Sequence, residues 1–439
     1  KDLRKLIIPL VIEQLLAVTI GMADTVMVSS CGEAAVSGIS LVDSINFLLI
    51  TLFSSLATGG AVIASQYIGR GDHKSASLAA KQLFYASLAL SAVLGIIAVF
   101  FRKPVLNMVF GSIEADVMAH AQIYFLLSAI SYPFLAVYNA GAALFRSMGD
   151  SRTTMLISIL MNTINIVGNA ILIYGFQMAA AGAATASLVS RAVGAIIITV
   201  LLLNPHRIIF YDKLHKPEIH LSMLKSILQI GVPNGLENSI FQIGKILVAS
   251  IVSGFGTISI TANAVAGNLA SLQVIPGMAL GMAMITVVGQ CIGAKDYEAV
   301  KKYTKKLMLI TYGVVWAMTL LMLLFSKQIL SFYSLSEETT TMTMEVFIVH
   351  GICAVIVWPL AFALPNALRA ANDVRFTMIV SLLSMWIFRI GFSYILAIYF
   401  NMGILGTWIA MCIDWFCRGA CFVIRFARGK WKNISFIDN

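Results

Sequence analysis

Charged residues are scarce in this sequence: Asp, Glu, Lys and Arg make up 11% of the 439 residues, whereas hydrophobic residues make up 59%. A soluble domain has about 25% charged and about 45–50% apolar residues, so the composition excludes an ordinary soluble protein. Apolar runs such as 83–101 and 121–145 have the length that a helix needs to cross the hydrocarbon core, about 17–25 residues. The sequence therefore predicts an integral membrane protein.

Several sequence motifs of catalysis and energy coupling are missing. The six cysteines form no CxxC pair and the histidines are scattered, so we predict neither a metal centre nor a disulfide framework. The pattern G-x-x-x-x-G-K-[ST] does not occur, which excludes an ATP site of the P-loop type. HExxH, G-x-S-x-G and acidic pairs at catalytic spacing are missing too. We predict no catalytic residues, no cofactor and no enzymatic activity.

The apolar runs predict twelve membrane-spanning helices, because the strands of a membrane barrel would be about ten residues long with alternating polarity. The predicted spans are 5–30, 40–68, 78–101, 116–144, 152–174, 180–203, 223–252, 258–292, 302–326, 343–369, 375–399 and 403–426. The predicted fold class is all-α integral membrane.

The net charge of +10 is explained by where the basic residues lie. If both termini are cytoplasmic, 23 of the 30 Lys and Arg residues fall in cytoplasmic ends and loops, and three fall on the opposite side. This is the positive-inside pattern of membrane proteins. We expect a monomeric, multi-pass protein of the plasma (inner) membrane with both termini in the cytoplasm, and no nucleic-acid partner.

One polar motif occurs twice in the sequence. The chain reads QYIGRGDHKSASLAAKQ at 66–82 and QCIGAKDYEAVKKYTKK at 290–306, an offset of 224 residues. An offset of 223 superposes FRSMGDSRTTM at 145–155 on LRAANDVRFTM at 368–378. Each copy holds six spans, an even number, so both copies cross the membrane in the same direction.

The duplication predicts two six-helix lobes related by an internal pseudo-two-fold axis. We place the N-lobe at 1–203, a cytoplasmic interlobe linker at 204–222 and the C-lobe at 223–439. Two similar lobes around a cleft suit transport by alternating access. The alternative is an old duplication kept only for packing.

Four motifs follow one another along the chain: GMADTVMVS at 21–29, QYIGRGD at 66–72, ALFRSMGDSRTTM at 143–155 and NIVGNAILIYG at 165–175. Together with twelve spans and the duplication, they resemble the multidrug and toxic compound extrusion (MATE) family over essentially the whole chain. The resemblance implies a two-lobe antiporter that exports organic cations against inward sodium ions or protons.

The resemblance also implies site residues. Asp24 matches the aspartate that binds the coupling ion in that family, and Asn165 and Asn169 match its Asn-x-x-x-Asp pair, with Asn here as the second member. The acidic residue of the sodium-coupled branch aligns with Trp358, so the resemblance favours protons as the coupling ion. Sodium stays open, because Asp24 with amide oxygens would also form a metal site of hard oxygen ligands.

Ionisable residues at bilayer depth cost about 2.5–3.5 kcal/mol on insertion scales, so each one supports a functional hypothesis. Glu13 and Asp24 are eleven residues apart, which places them on nearly the same face of span 1. We predict that both couple ions, the alternatives being a structural Asp24 and a snorkelling Glu13. Asp43 is interpreted as a helix cap at the outer interface, and Asp414 as an intrahelical partner of Arg418.

Asn162, Asn165 and Asn169 form one polar stripe of span 5, and the equivalent residues of the second repeat are apolar. We predict an N-lobe face that binds an ion and a C-lobe face of polarisable groups for a lipophilic cation. Ordinary helix packing is the alternative for both faces. The predicted substrate-binding residues are Asp24, Asn162, Glu237, Met385, Phe388 and Phe392.

Pro9 and Pro233 are repeat equivalents, and each precedes an intramembrane glutamate by one helical turn. A proline inside a span frees a backbone carbonyl and permits a bend, so we predict paired hinges. Lys245 and Arg389 have no partner that the sequence identifies. They are interpreted as neutralising carboxylates across the cleft or as repelling protons and cations between transport steps.

These observations predict a secondary antiporter that exports lipophilic organic cations in exchange for inward protons or sodium ions. Three alternatives stay open. A lipid-linked glycan flippase of related fold would have more spans and a cationic cleft. A membrane-embedded enzyme would turn over its substrate without an ion gradient, and a channel would give currents without saturable exchange.

Overall fold

The computed structural model of the protein describes residues 2–437, and every secondary-structure element within them is a helix. Residues 1, 438 and 439, the outer ends of the two predicted lobes, lie outside the described residues. The α-helices are α1 Asp2–Ser29, α2 Glu33–Arg70, α3 His73–Phe110, α4 Ala115–Ser147, α5 Ser151–Asn169, α6 Ala179–Leu202, α7 Leu221–Ser253, α8 Thr257–Gly293, α9 Tyr297–Leu324, α10 Ser326–Ser331, α11 Glu337–Ile356, α12 Leu364–Ala370, α13 Val374–Ser384 and α14 Ile404–Arg428. The π-helical segments are Ala170–Gly175, Pro359–Ala363, Met385–Gly391 and Tyr394–Tyr399, and a 3₁₀ helix covers Lys430–Asn433.

Within the described residues, 12 helical stretches are long and apolar enough to cross a membrane, which confirms the predicted number and the all-α fold class. The predicted span 343–369 is not a single α-helix. The helix α11 ends at Ile356, and the chain continues through the π-helical segment Pro359–Ala363 into α12. Proline has no N–H and cannot continue the hydrogen-bond ladder of an α-helix, so α11 ends shortly before Pro359.

The repeated polar motif forms the turn between two antiparallel helices. After α2, Gly71 takes a left-handed φ of 82°, and the Asp72 carboxylate caps α3 by accepting a backbone N–H at 3.0 Å. In the second repeat Lys295 has a φ of 55°, and Asp296 caps α9 in the same way at 3.1 Å. The motif therefore occurs twice because a left-handed residue followed by an aspartate ends one helix and starts the next.

The second repeated motif builds the equivalent turn, with one difference between the copies. Gly149 has a φ of 82°, and Asp150 caps α5 by accepting a backbone N–H at 3.1 Å. Asn372 has a φ of 72°, but the Asp373 carboxylate makes no capping bond to α13. It instead accepts two hydrogen bonds from Arg425, at 2.7 and 3.1 Å.

The chain divides into two compact units, and the division falls between Gly235 and Leu236, inside α7. In the first unit α4 packs against α2, α3 and α6, and α5 packs against α1 and α6. In the second unit α8 packs against α9, α11 and α12, and α14 packs against α11 and α13. The three-part division into lobes and linker stays a prediction.

The segment between α6 and α7, predicted as the interlobe linker, is attached to α3. The Gln82 amide donates to the Glu218 carbonyl at 2.6 Å and accepts the His220 N–H at 3.0 Å. The Tyr85 hydroxyl donates to the Leu214 carbonyl at 2.7 Å. The polar segment is thus fixed to the first unit by side-chain hydrogen bonds to its backbone.

One disulfide joins Cys353 of α11 to Cys412 of α14, with their Cα atoms 5.9 Å apart. The sequence predicted no disulfide framework, and this bond corrects that prediction. The two residues are 59 positions apart on separate helices, and cysteine spacing alone does not reveal which helices touch. Residues 2–437 contain no group of three His, Cys, Asp or Glu side chains placed to hold a metal.

Candidate functional site

Asp24 of α1 is half-buried and receives hydrogen bonds from two amides of α5. The amide of Asn169 donates to Asp24 Oδ1, and the amide of Asn165 donates to the same oxygen at 3.4 Å. The two asparagines are four residues apart, so they lie one above the other on one helix face. The structure therefore brings together three of the residues predicted to couple ions.

A close approach of α5 and α6 completes the surroundings of this carboxylate. A Cβ atom at Gly168 would lie 2.9 Å from the Cβ of Ala186, so the helices reach this distance because residue 168 has no side chain. From α6, the Ser187 hydroxyl donates to Asn165 Oδ1 at 3.3 Å. Asn169 Oδ1 is buried without a hydrogen-bond donor, which costs about 1–3 kcal/mol unless a proton donor or a cation reaches it.

Asn162, the third member of the stripe, has a different partner. Its amide donates to the Ser158 hydroxyl at 3.4 Å, and no hydrogen bond joins Asn162 to Asp24 among the described residues. Its predicted contact with substrate stays a prediction.

Glu13 and Glu237 each form a buried ion pair with an arginine. Glu13 lies 3.8 Å from Arg146, and Glu237 lies 2.6 Å from Arg369. Glu13 corresponds to Glu237 in the second repeat, and Arg146 corresponds to Arg369. The sequence therefore contained a signal for this pairing, and the sequence analysis missed it. Both charges are compensated within their own unit, and the predicted roles of Glu13 in ion coupling and Glu237 in substrate binding stay predictions.

Asp43 lies in the third turn of α2, so the prediction that it caps a helix is wrong. The helix begins earlier than its apolar run, and Asp43 belongs to a polar cluster in which Asp43 itself is exposed and Asn46 is buried. It accepts the Tyr124 hydroxyl at 2.8 Å and the Asn46 amide at 3.4 Å. Arg191, which donates to the Ser131 hydroxyl at 2.7 Å, adds a positive charge to this part of the first unit.

The second unit contains a cavity of about 240 Å³ with aromatic walls. Its principal lining residues are Lys245, His350, Trp358, Arg389, Trp408 and Trp415. The three C-lobe residues predicted from the stripe do not line it: Met385 is fully buried, and Phe388 stacks on Phe392 with ring centres 5.8 Å apart. Their contact with a substrate stays a prediction.

Two cations of this cavity have no acidic partner. Among residues 2–437, neither Lys245 nor Arg389 forms an ion pair; both face the ring of Phe241, at 5.9 and 5.2 Å. Arg389 Nε and Nη1 are buried without a hydrogen-bond acceptor. The neighbouring acid, Asp414, pairs with Arg418 at 3.4 Å, which confirms the intrahelical pair predicted for it.

Comparison with known proteins relates the whole chain to a family. The sequence pattern described as MatE matches residues 9–171 and again residues 233–395, an offset of 224 that confirms the duplication. The chain is 28% identical to the uncharacterized transporter YisQ of Bacillus subtilis over 436 residues, covering 96% of this chain and 93% of the relative. It is 26% identical to the probable multidrug resistance protein NorM of Thermotoga maritima over 441 residues, covering 98% and 93%. A crystal structure of MATE in the straight conformation has the same fold, with a TM-score of 0.90 at 20% identity over 99% of this chain and 97% of that one.

Proposed function

Because the chain belongs to the MatE family of multidrug efflux transporters, we propose that it is an antiporter that exports lipophilic organic cations in exchange for inward protons or sodium ions. Alternating access would expose the site to each side of the membrane in turn. The single observation that carries this proposal is the carboxylate of Asp24 beside the unsatisfied, buried Oδ1 of Asn169. A negative group and a free acceptor at one place suit a small cation or a proton.

The chemistry of the exchange follows from having one unpaired carboxylate at this position. A proton on Asp24 would cancel its charge and remove the attraction for a bound organic cation. A sodium ion would have the same effect, held by the carboxylate and by the amide oxygens of Asn165 and Asn169, the hard oxygen ligands that such cations prefer. Ion and cargo therefore compete for one charge, which is what an exchange mechanism requires.

Protons are the favoured coupling ion in this proposal. In the second unit the acids Glu237 and Asp414 are paired with arginines, and Trp358 stands where the sodium-coupled branch has its acid. No carboxylate among the described residues lines the cavity of the second unit. The first unit therefore supplies the carboxylate on which coupling depends.

The proposal can be tested with purified protein in liposomes that are loaded with the fluorescent cation ethidium. We expect a pH jump to drive ethidium transport, and Asp24→Asn to lose that transport while keeping its elution profile on size exclusion. Asp116→Asn, an exposed aspartate in the first turn of α4, is the matched control and should transport normally. Transport by Asp24→Asn at the wild-type rate, or no response to either a pH or a sodium jump, would refute the proposal.

A further inference from the structure

We propose that the aromatic cavity of the second unit is a binding site for a small organic anion that carries an aromatic ring, such as an aromatic carboxylate. The proposal goes beyond cation exchange at Asp24, which depends on residues of the first unit only. The protein would then handle two kinds of cargo of opposite charge.

Charge is the first argument. Lys245 and Arg389 both line the cavity, and no Asp or Glu in the described part of the chain lines it. The acids of the surrounding helices are already neutralised, Asp414 by Arg418 and Glu237 by Arg369. Two cations therefore line the cavity and no acid does, so a ligand that brings a negative charge would be attracted to them.

Hydrogen-bond donors are the second argument. Arg389 Nε, Arg389 Nη1 and Trp415 Nε1 are buried and have no acceptor, whereas the neighbouring Trp408 Nε1 donates to Asn263 at 3.0 Å. Buried polar groups in proteins are nearly always hydrogen-bonded, so a cluster of unused donors indicates that an acceptor belongs there. A carboxylate has acceptors only, and a guanidinium presents the planar fork of donors that matches it.

The shape of the cavity identifies the rest of the ligand. Its volume of about 240 Å³ lies below the range of drug-sized sites, about 300–1,000 Å³. Trp358 stacks on Phe362 with ring centres 5.7 Å apart, and the imidazole of His350 is held by Gln273 at 2.8 Å. The walls are flat and fixed, so they suit a small planar ring rather than a flexible chain.

Local backbone structure places Arg389 and Trp358 at unusual positions. Arg389 lies inside the π-helical segment Met385–Gly391, and Trp358 directly precedes the π-helical segment Pro359–Ala363. Isolated π-helical turns are rare and occur frequently at functional sites. One π-helical segment therefore contains a cavity residue, Arg389, and another directly follows one, Trp358.

The duplication supports the assignment. At the offset of 224 residues, Asp24 of the first repeat corresponds to Val248, and Val248 lines this cavity. The equivalent position thus holds an acid in the first repeat and a valine in the second, and Lys245 and Arg389 line the same cavity as that valine. A cavity that lacks the acid and is lined by two bases fits a ligand of the opposite sign.

The test uses isothermal titration of the full-length protein in detergent with three probes of one shape: benzoate, neutral benzamide and cationic benzylamine. We expect benzoate to bind at least about tenfold more tightly than benzamide, the effect of one charge-assisted hydrogen bond, and benzylamine not to bind. Arg389→Gln should weaken benzoate binding by at least about tenfold, and Lys245→Gln should weaken it by less, since a lysine offers no planar fork. Arg375→Gln, an exposed arginine of α13, is the control and should leave the affinity unchanged.

Asp24→Asn separates this proposal from the proposed function, because it should lose ion-driven efflux and still bind benzoate. Inorganic phosphate, an anion without a ring, should bind more weakly than benzoate. Binding of benzamide or benzylamine as tight as that of benzoate, binding of phosphate as tight as that of benzoate, or no binding of benzoate to the wild type would each overturn the proposal. These wild-type comparisons hold even if a variant fails to fold.

Discussion

At the scale of single residues, Asn169 and Asn162 of α5 make different hydrogen bonds, so their substitution should affect ion-driven transport to different extents. Asn169 donates to Asp24, whereas Asn162 donates only to Ser158. A hydrogen bond to a charged group contributes about 1.5–3 kcal/mol, a factor of about ten or more. We therefore expect Asn169→Leu to lower the rate of ion-driven efflux at least about tenfold and Asn162→Leu to lower it far less. Equal losses in the two variants would show that the stripe acts only in packing.

The buried ion pairs make a prediction about stability at the same scale. Glu237→Gln leaves the Arg369 guanidinium without its counter-charge, and breaking a buried pair in this way costs about 3–5 kcal/mol. Glu13→Gln should cost less, because Glu13 lies 3.8 Å from Arg146 whereas Glu237 lies 2.6 Å from Arg369. Thermal unfolding in detergent measures both. The double variant Glu237→Leu with Arg369→Met should regain most of the loss, and a double variant as unstable as Glu237→Gln would contradict this account.

At the scale of elements, the duplicated turns differ at the position that takes the left-handed conformation. Gly71 takes its left-handed conformation without strain, whereas Lys295 has a side chain in the same region, which costs about 1–2 kcal/mol. We expect Gly71→Ala to destabilise the protein by about that amount. Lys295→Gly should stabilise it by less, because glycine also loses more backbone freedom on folding. The two melting temperatures should move in opposite directions, and a fall for both variants would argue against strain at Lys295.

The helix cap at Asp72 predicts a dependence on pH. Hydrogen bonds from Ser75, first from its side chain and then from its backbone N–H, hold the pKa of Asp72 below its ordinary value of 3.8. The cap is therefore fully present above that ordinary value and is lost as the pH falls through the lowered one. Asp72→Ala should cost about 0.5–2 kcal/mol at neutral pH. The difference in unfolding free energy between the two proteins should shrink in strong acid, and a difference independent of pH would exclude a charged cap.

Two long helices carry the predicted hinges. Pro9 lies inside α1, and Pro233 lies inside α7 three residues before Leu236, where the second compact unit begins. We expect Pro9→Ala or Pro233→Ala to shift the balance between facing states, because alanine restores the missing backbone hydrogen bond. Labelling rates of single cysteines engineered near each side of the membrane measure the balance. Unchanged labelling rates in both variants would show that these prolines do not act as hinges.

For the molecule as a whole, the number of carboxylates that carry coupling ions determines the net charge moved across the membrane in each transport cycle. Moving one charge across the membrane is worth about 2.3 kcal/mol per 100 mV, so one ion entering for each monovalent cation leaving is electrically silent. With Asp24 as the coupling carboxylate, a membrane potential set with potassium and valinomycin should drive little transport in the absence of proton and sodium gradients. Asn169→Asp places a second carboxylate beside the first and should make transport respond to the potential. A strong response of the wild type would mean that at least two ions move per cation.

The sequence was sufficient for the features that repeat along one helix or along the chain. It predicted twelve spans and the duplication, and helix periodicity placed Asn165 and Asn169 on one face of span 5. The grouping of these asparagines with Asp24, which lies on a different helix, came from the resemblance to the MATE family. It did not reveal the cavity of the second unit, whose walls come from helices far apart in sequence, so their contacts leave no local pattern. Asp43 was misplaced because α2 extends beyond its apolar run, and a hydropathy pattern does not mark such an extension.

The hydrogen bonds of Gln82 and Tyr85 to the segment before α7 have a consequence for biosynthesis. Both side chains leave the ribosome well before the backbone that they bind, so this segment meets completed partners as soon as it emerges. Domains generally fold in the order in which they are synthesised. The nascent chain would therefore complete these contacts of its first half while most of the second half is still to be made.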